Sequence, residues 1–90
     1  GIGGATAQAV GEKLANLGEK VQVLVVTHSP QVAAQSKYHY KVEKTTMDNV
    51  TTTTLRELST NEKTEEVARM LSGEQITNEA RAAAKVLIGA

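Results

Sequence analysis

Helical periodicity opens the chain. Thr6, Val10, Leu14 and Leu17 recur at one-face spacing within residues 5–17, and Gly18 is placed to stop the helix. Val21-Gln22-Val23-Leu24-Val25-Val26-Thr27 then runs almost without polar interruption. A strand buried on both faces of a helix-covered parallel sheet reads this way, so the pattern predicts a buried strand over 21–27. A helix followed by a buried strand completes a strand–helix–strand crossover. The first strand of that unit would precede residue 1, which predicts that the chain belongs to a larger sheet. Pro30 suits a first helical turn, so a short helix is expected through 31–35.

The second half alternates before it becomes helical again. Tyr38, Tyr40 and Val42 share one face of residues 38–44, with His39, Lys41 and Glu43 on the other. Residues 50–58 are Thr-rich, and with Met47-Asp48-Asn49 between them the two segments predict an antiparallel hairpin. Thr51 to Thr54 suit an exposed or edge strand. Ser59 and Glu62 fit a capping box that starts a helix running to about Ser72, with Val67, Met70 and Leu71 inward and Gly73 as the stop. Thr77 caps a last helix, whose apolar stripe is Ala80, Ala84, Leu87 and Ile88. The expected fold class is α/β.

Composition narrows this picture. The chain has 90 residues, a formal net charge of +0 and 2% aromatic residues, so a core must rest on Val, Leu, Ile and Ala. No overall field draws it to nucleic acid or membrane. Cys is absent, which excludes disulfides and thiolate metal sites. Asn49-Val50-Thr51 matches the glycosylation pattern without a secretory signal, as chance matches do.

The candidate chemistry gathers at Thr27-His28-Ser29-Pro30. The carboxyl end of a strand is where open α/β sheets bind ligands. An imidazole there can donate a hydrogen bond to a phosphate oxygen or act as a base near neutral pH. Thr27 and Ser29 add hydroxyl donors, and the helix opening at Pro30 adds free N–H groups. The competing reading is a structural strand-end histidine bonded to a neighbour. Gly1-Ile2-Gly3-Gly4 lacks the Gly-Lys-Ser/Thr ending of a P-loop and suits a tight loop better than a phosphate cradle. His39, beside Lys41 and Glu43, reads as part of a solvated face, as do Glu62, Glu65, Glu66, Lys63 and Arg69. His28 and His39 have no metal-ligand spacing. Lys37, Lys41 and Lys44 form no basic patch with interleaved aromatics.

Three blocks in order carry a resemblance: Gly1-Ile2-Gly3-Gly4-Ala5-Thr6-Ala7 with Ala9-Val10-Gly11 and Leu14; Gln22 to His28 with Pro30-Gln31-Val32-Ala33-Ala34; and Glu65-Glu66-Val67-Ala68-Arg69-Met70-Leu71-Ser72-Gly73. Together they resemble the C-terminal part of the bacterial RecN family of SMC-like ABC ATPases. The resemblance covers the whole chain and is weakest over 38–58. It implies that residues 1–90 are the C-terminal lobe of an ABC/SMC-type ATPase head. That lobe would have parallel strands with flanking helices, an antiparallel hairpin and two C-terminal helices. It further implies a D-loop at 1–4, crossing the head–head interface, and an H-loop at 27–30 whose His28 contacts the γ-phosphate. Gly1, Ile2, Gly3, Thr27, His28 and Ser29 would be the nucleotide-contacting residues.

ATP and Mg²⁺ are the cofactors implied for the assembled head, with none expected on this chain alone, because the Walker A lysine, Q-loop, signature motif and Walker B acids are not in it. The implied partners are the N-terminal lobe of the same head, a second head, and DNA through the full-length protein, with no membrane. The implied setting is the bacterial cytoplasm at the nucleoid, and the implied process is recombinational repair of double-strand breaks. The alternatives are a non-enzymatic α/β interaction module with a structural His28, and a head fragment of an SMC or Rad50 relative. The glycine-rich block argues against the latter, which typically carries an Ala-Leu-Asp type of D-loop.

Overall fold

A computed structural model describes residues 3–89. Its elements are α1 (Gly4–Gly18), α2 (Pro30–Ala34), β1 (Tyr40–Met47), β2 (Val50–Glu57), α3 (Thr60–Ser72) and α4 (Asn78–Ile88). The two strands pair antiparallel, from Tyr40 opposite Glu57 to Met47 opposite Val50. Asp48 and Asn49 link them with φ of 52° and 64°. Positive φ at both central residues is the two-residue turn that follows the native strand twist, and Asp and Asn tolerate it well.

Local chemistry sets the helix boundaries. Ser59 Oγ accepts from Glu62 N at 3.2 Å, and Glu62 Oε1 accepts from Ser59 N at 2.9 Å, which completes the capping box. Gly73 ends α3 at φ 83°. Thr77 Oγ1 accepts from Ala80 N at 3.0 Å and starts α4.

The core is built from small side chains. Ala34 of α2, Val67 and Ala68 of α3, and Ala80 and Ala84 of α4 form one buried cluster, against which Leu71, Ile76, Leu87 and Ile88 pack. Helix α1 joins through Ala7 and Gly11, which are buried, and Gly11 faces α2. A methyl group at Gly11 would lie 3.1 Å from the Gln31 carbonyl oxygen and 3.2 Å from Val32 Cα. A side chain here would make the neighbouring backbone give by a few tenths of an ångström, so glycine suits this close approach. The two-helix unit of α3 and α4 thus meets α1 through α2.

Four expectations need correction. The buried parallel strand over 21–27 is absent: these residues belong to no strand, and Leu24 and Val26 are 88% and 94% exposed. A strand needs hydrogen-bonding neighbours, and among the described residues only the hairpin forms a sheet. The inward face of α1 is also different. Ala7 and Gly11 are buried, while Thr6, Val10 and Leu17 are exposed. Close backbone approach to α2 favours small residues over the longer apolar stripe. Helix α1 also includes Gly18, with Glu19 as its C-cap. Last, the hairpin is turned over relative to its polarity: Tyr40, Val42 and Leu55 face solvent, whereas Lys41 and Glu43 are half-buried.

Val67 is the largest fully buried side chain. Val67→Ala is expected to cost about 2 kcal/mol, from two lost methyl groups plus the cavity left behind. Val86→Ala, on the exposed face of α4, should shift stability by less than about 0.5 kcal/mol. Urea titration followed by circular dichroism compares the two.

Candidate functional site

Two loops far apart in sequence meet where α1 and α2 begin. The first ends at Gly3, the extended N-cap of α1 (φ −64°, ψ 156°), whose carbonyl accepts from Ala7 N at 2.9 Å. Gly1 and Ile2 lie outside the described residues. The second loop is Thr27-His28-Ser29, which feeds α2. Ser29 is its N-cap, with Oγ accepting from Val32 N at 3.3 Å and Pro30 filling the first turn. A methyl group at Gly4 would lie 3.4 Å from Gln31 Nε2, so the start of α1 lies against the first turn of α2.

The polar groups of the second loop have distinct roles. Ser29 N donates to Thr27 Oγ1 at 2.9 Å, and Ser29 Oγ donates to Gln31 Oε1 at 3.2 Å. The Ser29 hydroxyl hydrogen is thus engaged within the chain. Thr27 Oγ1 is an acceptor in its bond, so its hydrogen remains available to a ligand. His28 is exposed. With only five residues, α2 supplies little dipole, so the chemistry of this edge rests on the imidazole and the Thr27 hydroxyl.

A second polar assembly was read from the sequence as two solvated faces. Lys41 Nζ lies 2.9 Å from Glu66 Oε2, and Glu66, buried at 8% exposure, also pairs with Arg69. Arg56 Nε lies 2.7 Å from Glu43 Oε1, and its Nη1 pairs with Glu62. Arg81 Nε meets Glu65 Oε2 at 2.8 Å, which ties α4 to α3. Lys63 donates to the Ser36 carbonyl, and His39 keeps Nδ1 buried with no hydrogen-bond partner among the described residues. No Cα of the hairpin comes within 8 Å of a helix Cα, so long side chains bridge the gap.

These ion pairs shift the acidity of the groups that make them. Glu62 is pulled down to about 2, chiefly by the Ser59 backbone N–H and then by Arg56. Burial pushes Glu66 upward, but bonds from Arg69 and Lys41 outweigh it and leave the carboxyl below its usual range. Burial, reinforced by Lys63, lowers the His39 imidazole. Burial also lowers Lys63. The shallow depression of about 330 Å³ beside this assembly is lined by Lys41, Arg56, Glu62, Glu65, Glu66 and Arg69, already matched in pairs. Its charges serve cohesion. The sequence signal for this assembly was the alternation of Lys41 and Glu43 opposite Arg56, with acids at one-turn spacing on α3.

Among the described residues, no group of three or more His, Cys, Asp or Glu could hold a metal ion. No helix there is long and apolar enough to cross a membrane. The chain is thus an α/β segment with two converging loops, an exposed histidine and an uncovered apolar run.

It is 52% identical over 88 residues to the DNA repair protein RecN of Xylella fastidiosa (strain 9a5c), a match covering 98% of this chain and 16% of that relative. RecN of Rickettsia felis matches at 47% over 88 residues, with the same coverage. RecN of Deinococcus radiodurans matches at 55% over 73 residues, covering 81% of this chain and 13% of that protein. The chain therefore belongs with RecN along nearly its whole length and corresponds to a segment of that much larger protein. No protein-family model matches it.

The ion pairs predict a pH dependence. Glu62, Glu65 and Glu66 titrate lower in the folded chain than in the unfolded one. The stability they contribute is present above the ordinary carboxylate range and is lost as pH falls, for Glu62 between about 4.5 and about 2. His39 is also lowered, so the unfolded chain takes up its proton first and stability falls as pH drops below about 6.5. Glu66→Ala should cost about 1–2 kcal/mol at pH 7, since Lys41 and Arg69 retain partial access to water. It should also flatten the acid limb. Urea midpoints measured from pH 3 to 8 test both points, and His39→Gln should remove the limb near pH 6.

Proposed function

We propose that this chain is the C-terminal lobe of an ATP-binding and ATP-hydrolysing SMC-like head that acts in recombinational repair of DNA double-strand breaks. The carrying observation is the identity of 52% with a DNA repair protein RecN over 98% of the chain; on this reading, Thr27-His28 is the switch segment. On this reading, the exposed run 21–26 is a strand of the head's parallel sheet, whose neighbours come from the N-terminal lobe. Two features of the chain support this. Leu24 and Val26 expose large apolar side chains, and the outward face of α1 presents Val10 and Leu17. Apolar surface of this extent marks an interaction site.

The residues present fit a γ-phosphate contact. The exposed His28 can donate an N–H to a phosphate oxygen and help orient the attacking water, and the Thr27 hydroxyl can add a second donor. Bound ATP with Mg²⁺ would supply the phosphoryl group and its charge neutralisation. Gly1-Ile2-Gly3 would contact the second head across the nucleotide. Phosphoryl transfer needs a lysine, a metal site and a water-orienting group together, so this lobe alone is inactive. DNA is engaged through the full-length protein, in the bacterial cytoplasm at the nucleoid. The exposure of His28 favours this reading over a structural histidine in a non-enzymatic module.

A full-length RecN of Xylella fastidiosa carrying this chain in place of its matching segment provides the test. His28→Ala is expected to lower ATP turnover by roughly 10²-fold, as for loss of one preorganised transition-state contact. Unchanged turnover would reject the switch role. The isolated chain should show no rise in melting temperature with millimolar ATP and Mg²⁺, whereas a nucleotide cradle within it would raise the transition.

A further inference from the structure

We propose that Ser29 is a positioning residue, which fixes the backbone that carries His28 rather than touching the nucleotide. The proposal rests on the ATPase role proposed above and assigns a further residue to that site. Ser29 spends its hydrogen-bonding groups within the chain. Its N–H donates to Thr27 Oγ1 at 2.9 Å, and its carbonyl accepts from Ala33 N at 2.9 Å. Its Oγ accepts from Val32 N at 3.3 Å and donates to Gln31 Oε1 at 3.2 Å. Both donor hydrogens of Ser29 are therefore engaged, and neither is left for a phosphate oxygen, although the residue adjoins the histidine.

These bonds restrain His28 from both flanks. The bond from Ser29 N to Thr27 Oγ1 spans His28, so the hydroxyl of the residue before the histidine holds the amide of the residue after it in a turn closed by a side chain. The other three anchor Ser29 to the first turn of α2. Pro30 adds a steric restraint: the residue before a proline is disfavoured in the helical region, and Ser29 is extended at φ −86° and ψ 118°. His28 is exposed, so the backbone that carries it sets its direction, not packing around the ring. A reacting group displaced by about 1 Å can lose on the order of 10²-fold in rate, which gives a doubly restrained loop its catalytic value.

The chimeric full-length RecN again provides the test, with kcat and KM for ATP measured separately. Ser29→Gly removes the hydroxyl at a position where a helix start accepts glycine well, and it frees the backbone next to the histidine. It should lower kcat roughly 3- to 10-fold, the effect of one lost hydrogen bond, with KM within about twofold and a melting temperature close to the parent's. Ser29→Thr keeps a hydroxyl and should hold kcat within about twofold of the parent. In a His28→Ala background, Ser29→Gly should have no further effect on kcat, because a positioning residue acts only through the group it places. If His28→Ala lowers turnover while Ser29→Gly matches the parent, the positioning role is overturned and the histidine's role stands. If Ser29→Gly lowers kcat equally in the His28→Ala background, Ser29 acts on the reaction by itself and the proposal fails. A raised KM at unchanged kcat would mean that Ser29 binds nucleotide directly, and would overturn it as well. So would a loss of kcat that merely tracks a fall in melting temperature across Ser29→Gly, Ser29→Ala and Ser29→Thr. Unchanged turnover in His28→Ala rejects the switch role on which the proposal rests.

Discussion

Helix α2 has only five residues, too few to hold its shape alone, so what it touches dictates its geometry. Ala33 and Ala34 are its buried positions, and Ala34 packs into the alanine-rich seam between α3 and α4. On the α1 side, Gly11 allows backbone to rest against backbone. Ser29 and Pro30 fix the entry of the chain into α2. The helix is therefore the join between α1 and the α3–α4 pair, and the exposed histidine is mounted directly on that join. Any residue that alters how α2 sits also alters where His28 points.

A seam of this kind gives definition more readily than stability. Alanine buries little apolar surface, and at roughly 25 cal/mol per Å² each contributes modestly. What it gives is short interhelical distance with no side-chain entropy to lose. The hairpin follows another logic, because its link to α3 is electrostatic. Glu66 is the pivotal group: a buried carboxylate held by Lys41 from the hairpin and Arg69 from its own helix. A buried charge with two donors is tolerable, but one with a single donor is costly. The pairing thus fixes which face of the hairpin meets α3, and leaves Tyr40, Val42 and Leu55 outward.

What could be read in the sequence depended on the range of the interaction. The capping box at Ser59 and Glu62, the Thr77 cap, the Gly73 stop and the hairpin are local, and the residues that make them stand within a few positions of each other. The strand over 21–27 failed as a local reading because a strand is completed by its neighbours. The apolar run described the surface it requires, and within residues 3–89 that surface is missing. The face of α1 misled for a related reason: Val10 and Leu17 mark one interface and Ala7 and Gly11 another, and periodicity favours the larger side chains. The charged face of the hairpin reads as solvated in the sequence, because the pairing of Lys41 with Glu66 and of Arg56 with Glu62 depends on how the hairpin folds onto α3. At the candidate site, the Thr-His-Ser-Pro pattern was legible, while the closeness of the two loops was not. It comes from Gly4, Gly11 and Gln31, which look unremarkable until α1 and α2 are side by side.

The two kinds of apolar surface in this chain therefore have different meanings. The alanine seam is complete, since each small side chain is covered within the chain. The run from Val21 to Val26 is uncovered, and Leu24 and Val26 project on a segment without strand partners. Isolated apolar side chains at a surface need no explanation, but a contiguous run directly preceding the histidine does. If that run is docked in a sheet, His28 stands at the rim of the sheet and its backbone is fixed from one side. Helix α2, clamped to α1 through Gln31 and Gly11, then fixes it from the other. On the proposed reading, a phosphate contact by His28 requires both restraints, because an imidazole held at one end only would have to be ordered anew at each encounter. The chain carries the second restraint in full and displays the apolar surface that the first one needs.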